Sequence, residues 1–345
     1  MPPKDKEKAL TIKDVAKAAG VSITTVSRVL NNNFDLVNSQ TRERVQATIK
    51  DMGFTPNAMA QGLHFDNTKT IGLIIQDIAN PYYPSIVREV ENTAQRLGYS
   101  VFLANAQRSE KRIVQYLEIM RGKRVDGLIL VGGGIVKNAE KQNFFDNSKM
   151  KVIVIGKPSS ASLPSVQIEN VAAAKMACEY LLSMGHTRIA MLSGPENSTT
   201  ALDRTQGYFE ALQARKISHH PEWVMCGNFD YGDAFRATES LIGDNNEHQI
   251  TAIFAHNDLM AIGAMNALRK KGFRIPEDIS VLGFDNIPAA SFVTPSLTTV
   301  SVPVDKMGQI AMENLARLLE RKKIQQSILL PVGIELRKSV AIPPN

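Results

Sequence analysis

The sequence has few of the residues that cross-link small folds or hold metal ions. Among 345 residues there are 2 cysteines, 6 histidines and 1 tryptophan. Cys178 and Cys226 lie far apart and fit no metal-ligand spacing, so we expect idle thiols in a reducing compartment rather than a disulfide framework. His219 and His220 are neighbours, but no third ligand stands nearby. No metal ion and no cofactor are therefore expected.

Long apolar runs are also missing. No stretch of about 18 or more uncharged apolar residues occurs, so no transmembrane helix is expected. The first residues, Met1 to Lys8, are charged and polar, and no apolar segment of the secretory type follows them. We therefore expect a cytoplasmic protein that has no membrane partner.

The bulk composition is that of a globular protein with two or three domains. The chain is 43% hydrophobic and 21% charged, and its net charge is +6. Residues 1–69 contain 10 basic and 7 acidic side chains, so half of the net charge lies in a fifth of the chain. A positive balance fits a polyanionic partner such as DNA, although many basic proteins bind no nucleic acid.

The N-terminal segment has the periodicity of short helices. We predict helices over Ile12–Ala19, Ile23–Leu30 and Ser39–Met52. Thr11, with an acidic residue three positions later, begins the first helix as a capping box, and Gly20 supplies a tight turn before the second. Two short helices about a glycine turn, braced by a third helix, describe a helix-turn-helix, whose second helix enters the DNA major groove.

A short segment after these helices has the character of a linker. Pro56 suits a first helical turn, but Asn57 to Leu63 spans only one or two turns and would not be stable alone. Gly62 weakens that helix by about 1 kcal/mol relative to alanine. The polar residues 65–70 that follow mark the predicted domain boundary.

From Thr70 onward, strand-like apolar runs alternate with amphipathic helices. Alternation of this kind predicts parallel sheets covered by helices on both faces. The predicted helices include Pro84–Leu97, Val171–Met184, Leu259–Lys271 and Val304–Glu320. The predicted strands are residues 71–75, 101–105, 127–131, 152–156, 188–192, 252–256 and 280–284.

Ligands of such sheets bind at the carboxyl ends of the strands. The polar residues at these ends suit a ligand with many hydroxyl or amide groups: Asp77, Asn105, Ser193, Asn257, Asp258 and Asp285. Asp258 has a competing role as the N-cap of the helix that follows it.

Enzyme motifs are poorly represented. The VGGG run at 131–134 follows a strand, but it lacks both the dinucleotide-binding G-x-G-x-x-G frame and a P-loop lysine. No G-x-S-x-G nucleophile motif occurs. We therefore expect a binding protein rather than an enzyme.

The run TIKDVAKAAGVSITTVSRVLNN, from Thr11 to Asn32, resembles the headpiece of the LacI/GalR family of transcription regulators. The resemblance continues through GHTRIAMLSG (185–194), the 254–286 segment and PSLTTV (295–300). It implies an all-α helix-turn-helix headpiece and an α/β periplasmic-binding-protein-like core of two doubly wound parallel-sheet subdomains. The implied boundaries are a headpiece at 10–55, a hinge helix and linker at 56–69, and a core at 70–340. Within the core, the N-subdomain takes about 70–165 and 301–325, and the C-subdomain about 166–300 and 326–340.

The resemblance and the residue chemistry together indicate the DNA contacts. Ile23, Thr24 and Arg28 match base-reading positions: threonine and arginine bond to base edges, and isoleucine gives apolar contact. Ser22, Thr25 and Ser27 suit phosphate contacts that set the register. In the family the segment containing Asn57 is the hinge helix, and Leu63 matches the leucine that wedges into the minor groove.

Effector contacts are carried over in the same way. Arg204 is expected to grip an effector hydroxyl or carboxylate, with a structural ion pair as its alternative role. Glu169 departs from the family's usual aspartate, which puts that contact in doubt. The full set is Asp77, Tyr82, Tyr83, Glu169, Arg204, Phe229, Asn257 and Asp285.

The sequence thus predicts a homodimeric transcription regulator, most often a repressor in this family, that binds a palindromic double-stranded DNA operator under control of a small-molecule effector, a sugar or sugar derivative. One alternative is regulation by a protein partner or a nucleobase. Two others are a periplasmic sugar carrier, and an architectural DNA-binding protein whose effector domain is vestigial.

Overall fold

The computed structural model describes residues 10–30, 34–54, 68–132, 150–243 and 249–344. The chain divides into two compact units, residues 1–68 and residues 69–345. In the described part, no helix has both the length and the apolar character needed to cross a bilayer.

The small unit is helical and begins as its capping residues predict. The Thr11 backbone N–H donates to Asp14 Oδ2 at 2.9 Å, and Gly20 ends the first helix with a left-handed φ of 64°. Val15, Val26 and Val45, one from each helix, form a fully buried centre. The helices are α1 Ile12–Ala19, α2 Ile23–Leu30 and α3 Ser39–Asp51, with a 3₁₀ turn at Phe34–Leu36.

The interior of α2 differs in one residue from the expectation. Leu30, four positions after Val26, packs against the same buried cluster as expected but is only partly covered, and Val29 is the second buried residue of the helix. A residue three positions on also lies on the same helix face. Ile23 and Thr24 stay exposed at the start of the helix.

The described part of the large unit contains two six-stranded sheets covered by helices. The N-sheet consists of β1 Thr70–Ile75, β2 Ser100–Asn105, β3 Gly127–Val131, β4 Lys151–Ile155, β5 Ser165–Gln167 and β11 Ser327–Leu329. The C-sheet consists of β6 Ile189–Ser193, β7 Val224–Cys226, β8 Ala252–Ala255, β9 Ser280–Asp285, β10 Thr298–Ser301 and β12 Gly333–Glu335. The helices are α4 Tyr82–Arg96, α5 Glu110–Gly122, α6 Asn170–Ser183, α7 Thr199–Ala214, α8 Tyr231–Ile242, α9 Asp258–Lys270, α10 Ala289–Phe292 and α11 Val304–Leu319.

Strand order confirms the predicted doubly wound fold class. The N-sheet runs β11-β5-β4-β3-β1-β2 and the C-sheet runs β12-β10-β9-β8-β6-β7. All described pairings are parallel except that of β10 with β12. Each sheet reverses its order next to its first strand, β1 or β6, and such switch points are where open α/β sheets bind ligands.

Two subdomain limits differ from those expected. Strand β5, at residues 165–167, pairs with β4, and β11, at 327–329, pairs with β5. Both strands therefore belong to the N-sheet, whereas residues 166 onward and 326 onward were assigned to the C-subdomain. Strands of only three residues carry little periodicity, so their backbone pairing could not be read from the sequence.

Candidate functional site

The start of α2 is fixed by its own side chains. The Thr25 backbone N–H donates to Ser22 Oγ at 3.1 Å, and the two side-chain oxygens lie 2.9 Å apart. A serine side chain that accepts a hydrogen bond from the backbone N–H three residues later is an N-cap. It satisfies one of the unpaired donors at the helix end. The cap leaves Ile23 with 45% of its surface exposed.

Six of the eight proposed DNA contacts lie on this helix or at its cap. Ile23 and Thr24 are exposed, whereas Ser27 and Arg28 are half-buried on the next turn. Asn57 and Leu63, the other two, lie outside the described residues.

The large unit holds a cavity of about 170 Å³. Residues from both subdomains line this cavity. Six of the eight proposed effector contacts line it: Tyr82, Tyr83, Arg204, Phe229, Asn257 and Asp285. Further lining residues that can offer hydrogen bonds are Gln76, Asn80, Arg108, Glu110, Asn170, Asn197, Ser198 and Thr200.

Arg204 lies at the centre of the hydrogen bonding around this cavity. Its Nε donates to Asn170 Oδ1 at 3.0 Å, its Nη1 donates to the His256 carbonyl, and its Nη2 lies 3.6 Å from Asp285 Oδ1. The guanidinium also stacks over the Phe284 ring, 3.5 Å from the centroid. Each nitrogen of this buried cation thus has a protein partner, so the ion pair considered as its alternative role is present.

Asp285 ends β9 in an unusual backbone conformation. Its φ is 118°, which side-chain-bearing residues rarely adopt, and Asn286 follows at 59°. Arg337 holds this turn by donating to Asn286 Oδ1 at 2.7 Å. Burial raises the pKa of Asp285 to about 7, and the nearby Arg204 opposes the rise. The cavity therefore contains a carboxyl group that both accepts and donates near neutral pH.

A second buried carboxyl group, that of Asp258, lies near Asp285. Asp258 Oδ2 accepts from the Ile287 backbone N–H at 2.8 Å, and Thr299 donates to Oδ1. Burial and the neighbouring Asp285 raise the pKa of Asp258 well above its usual value. The competing role of Asp258 was that of N-cap of α9, and this prediction was wrong. The N-cap is Asn257, whose Oδ1 accepts from the Met260 N–H at 2.8 Å.

Three aromatic rings form part of the cavity wall. Tyr82 and Tyr83 meet edge-to-face, with centroids 5.2 Å apart at 87°. Phe229 packs against Gly194, where a Cβ would lie closer than 3.0 Å to the ring. Flat faces of this kind favour ligands with rings.

Two proposed effector residues lie off the wall. Asp77 is not a lining residue, and its Oδ2 lies 3.4 Å from Arg108 Nη2 instead. Glu169 is exposed just before α6, and the next residue, Asn170, faces Arg204. Successive helical residues point about 100° apart, so a misplacement by one residue removes the contact. Asn170 and Arg108 were not among the predicted site residues because their partners are remote in sequence.

Comparison with known proteins agrees with this arrangement. Residues 11–57 match the family model "Bacterial regulatory proteins, lacI family". Residues 68–336 match the model "Periplasmic binding proteins and sugar binding domain of LacI family". The chain belongs to the LacI family. Both the expected resemblance and the expected fold class are thus confirmed.

Curated relatives of this LacI-family chain carry regulatory names. It is 36% identical over 332 residues to the "HTH-type transcriptional repressor PurR" of Histophilus somni (strain 129Pt), which covers 96% of this chain and 98% of the relative. The PurR repressor of Haemophilus influenzae (strain PittEE) is also 36% identical, over 335 residues. The chain is therefore a DNA-binding transcription regulator and not an enzyme.

Solved structures in the family superpose along nearly the whole chain. The lac repressor dimer bound to operator and the anti-inducer ONPF has a TM-score of 0.86 and 28% identity, and covers 97% of this chain and 100% of that one. A "transcriptional regulator CelR-cellobiose complex" has a TM-score of 0.72 and 29% identity, and covers 96% of this chain and 99% of that one.

Proposed function

We propose that the chain acts in the cytoplasm as a homodimeric repressor that binds a palindromic operator and is controlled by a small molecule in its cavity. The observation that carries this proposal is the likeness, over 97% of this chain, to a lac repressor dimer bound to operator and the anti-inducer ONPF. A two-fold symmetric dimer presents two headpieces to two inverted half-sites, which is why its operator is a palindrome.

Base reading is assigned to the exposed start of α2. Thr24 offers a hydroxyl and a methyl group, Ile23 offers an apolar surface, and Arg28 lies one turn further along. Arginine bonds to guanine through two donors, and each good bidentate contact discriminates by about 1–3 kcal/mol. Ser22, Thr25 and Ser27 are assigned to phosphate contacts, which set position without reading sequence.

The effector is proposed to be a small polar molecule, and a sugar or sugar derivative is the first candidate. The cavity volume of about 170 Å³ is below the roughly 300–1,000 Å³ of pockets that hold drug-sized ligands. Amides, hydroxyls and the Asp285 carboxyl supply donors and acceptors to a ligand with several hydroxyl groups. The similar regulator solved with cellobiose is a further support.

A nucleobase is the second candidate, and the aromatic wall favours it. Tyr82, Tyr83 and Phe229 can stack on a planar ring, while Asp285 and Asn257 can bond to its edge. The two candidates differ in their dependence on the rings, because a sugar is held mainly through its hydroxyl groups.

A ligand panel on the full chain tests the assignment to this cavity. Thermal shift and calorimetry with hexoses, hexose phosphates, disaccharides and the free nucleobases should yield a binder whose heat signal disappears in Asp285→Asn. Phe229→Leu should abolish binding of a nucleobase and only weaken binding of a sugar. A binder that Asp285→Asn leaves unchanged would place its site outside this cavity.

A further inference from the structure

Arg108 makes two hydrogen bonds across the cavity, between the N-sheet side and the C-sheet side of the core. Arg108 follows β2 of the N-sheet, whereas Asn228 and Phe229 follow β7 of the C-sheet. Arg108 Nη1 donates to the Asn228 carbonyl, and Nη2 donates to the Phe229 carbonyl at 3.0 Å. A guanidinium fork suits two neighbouring acceptors, which an ammonium group could not bridge in the same way.

Arg108 is anchored on its own side of the cleft. Its backbone N–H donates to the Gln76 carbonyl at 2.9 Å, and Asp77 Oδ2 lies 3.4 Å from Nη2. About a third of the side chain is exposed, so water still screens its charge. Asp77, expected to touch the effector, is thus placed to orient the arginine that crosses the cleft.

The segment that Arg108 grips has a conformation that needs outside support. Asn228 and Phe229 have φ values of 52° and 55°. Two successive residues in the left-handed helical region point their carbonyls the same way, which presents both to one guanidinium. This conformation is unfavourable for phenylalanine, so it persists only where neighbouring groups hold it.

The gripped segment also carries part of the cavity wall. The Phe229 ring packs on Gly194, and the Phe229 carbonyl lies 3.5 Å from Asn257 Nδ2. Movement of this segment would therefore shift the ring against which a ligand lies. An ion pair also crosses between the subdomains, with Lys157 Nζ 2.9 Å from Asp203 Oδ1, but the lysine end of this pair is half exposed. This ion pair is expected to hold the two subdomains together less strongly than the hydrogen bonds of Arg108 do.

We propose that Arg108 is a positioning residue of the effector site, and that it clamps the Phe229 segment across the cleft and holds the ligand-free core closed. The proposal rests on the proposed function, because it makes operator affinity without effector depend on this contact. A ligand that touches both subdomains would then meet a cavity already closed, and its apparent affinity would fall with the closed fraction if the clamp were lost.

Two native thiols report on the clamp without any effector. Cys226 is exposed, and its thiol donates to Asn228 Oδ1 at 3.1 Å, so its reactivity depends on the position of the gripped segment, whereas Cys178 is buried in the core. In ligand-free full-length protein, Arg108→Ala should change the rate at which a disulfide reagent modifies Cys226 by more than about twofold, because it frees the segment whose Asn228 side chain accepts from this thiol. Arg108→Lys should give an intermediate rate. Arg112→Ala, at an exposed arginine on α5, should match the wild type.

The same proteins are then compared by small-angle scattering and by operator binding. Arg108→Ala should increase the radius of gyration and change operator affinity at least fivefold, with Cys178 still unmodified. Cys226 rates and operator affinity within twofold of the wild type would overturn the proposal. If Arg108→Ala also exposes Cys178, it has unfolded and Arg108→Lys decides. If the wild type binds no operator, the proposed function fails, and the Cys226 rates still test the clamp.

Discussion

Replacement of Arg204 by methionine tests the electrostatic account of the cavity. Arg204→Met keeps a long side chain but removes the donors to Asn170 Oδ1 and to the His256 carbonyl. Each buried acceptor left without a partner costs roughly 1–3 kcal/mol. We therefore expect the free energy of unfolding to fall by about 2–5 kcal/mol near neutral pH.

The ion pair with Asp285 adds a pH-dependent part. Because the pKa of Asp285 in the wild type is about 7, this carboxyl group is about half protonated at neutral pH, and the variant completes its protonation at small cost. A group whose folded pKa is raised contributes stability at low pH and loses it as pH rises through that pKa. Without Arg204 the pKa is higher still, so the variant keeps losing about 1.4 kcal/mol per pH unit above 7, where the wild type has levelled off with respect to Asp285.

Urea unfolding at pH 6, 7 and 8 measures both parts. Trp223, the one tryptophan of the chain, lies just before β7 and serves as the fluorescent probe at fixed protein concentration. Arg112→Met, at an exposed arginine, is the control and should change stability by less than about 0.5 kcal/mol. A loss below about 1 kcal/mol in Arg204→Met would show that its buried acceptors do not depend on it, and a loss equal at all three pH values would show that it does not lower the pKa of Asp285.

Three further changes test the packing and the caps. Gly194→Ala should displace the Phe229 ring and destabilise the core by about 1–3 kcal/mol in thermal unfolding; an unchanged melting temperature would mean that the ring does not pack there. Ser22→Ala should weaken the start of α2 by about 0.5–2 kcal/mol. In the full-length protein, amide exchange should then become faster in the headpiece and stay unchanged in the core, and wild-type exchange rates in the headpiece would show that Ser22 does not cap the helix. His186→Ala removes the side chain whose Nε2 lies 2.8 Å from the Ala341 carbonyl, so carboxypeptidase should trim the C-terminal segment faster; trimming at the wild-type rate would show that other contacts hold it.

Local signals predicted the long elements well. Helix α1 begins and ends where the Thr11 capping box and Gly20 indicate, because both act within a few residues of the helix they bound. The long apolar strands β1, β3 and β9 were located for the same reason. The strands of three or four residues that were missed, β5, β7, β10, β11 and β12, are set by pairing with strands elsewhere in the chain.

The sequence could predict only those site residues that lie at strand ends or that match functional positions of the family. Asp285 and Asn257 follow strands, and they do line the cavity. Asn170 and Arg108 have partners 34 and about 120 residues away, so no local pattern shows that they meet. Glu169 was misplaced because the direction of a side chain at a helix start depends on which residue opens the helix.

Selection of DNA by the purified full-length protein shows whether the chain recognises a palindromic operator through α2. The wild type, without added ligand and at moderate salt, is mixed with random duplexes, and the bound fraction is sequenced. The account predicts an enriched inverted repeat, and Arg28→Ala should lose preference at one base pair per half-site, by about 1–3 kcal/mol. Bound DNA without any shared sequence, or an enriched site that Arg28→Ala and Thr24→Ala read as the wild type does, would contradict it.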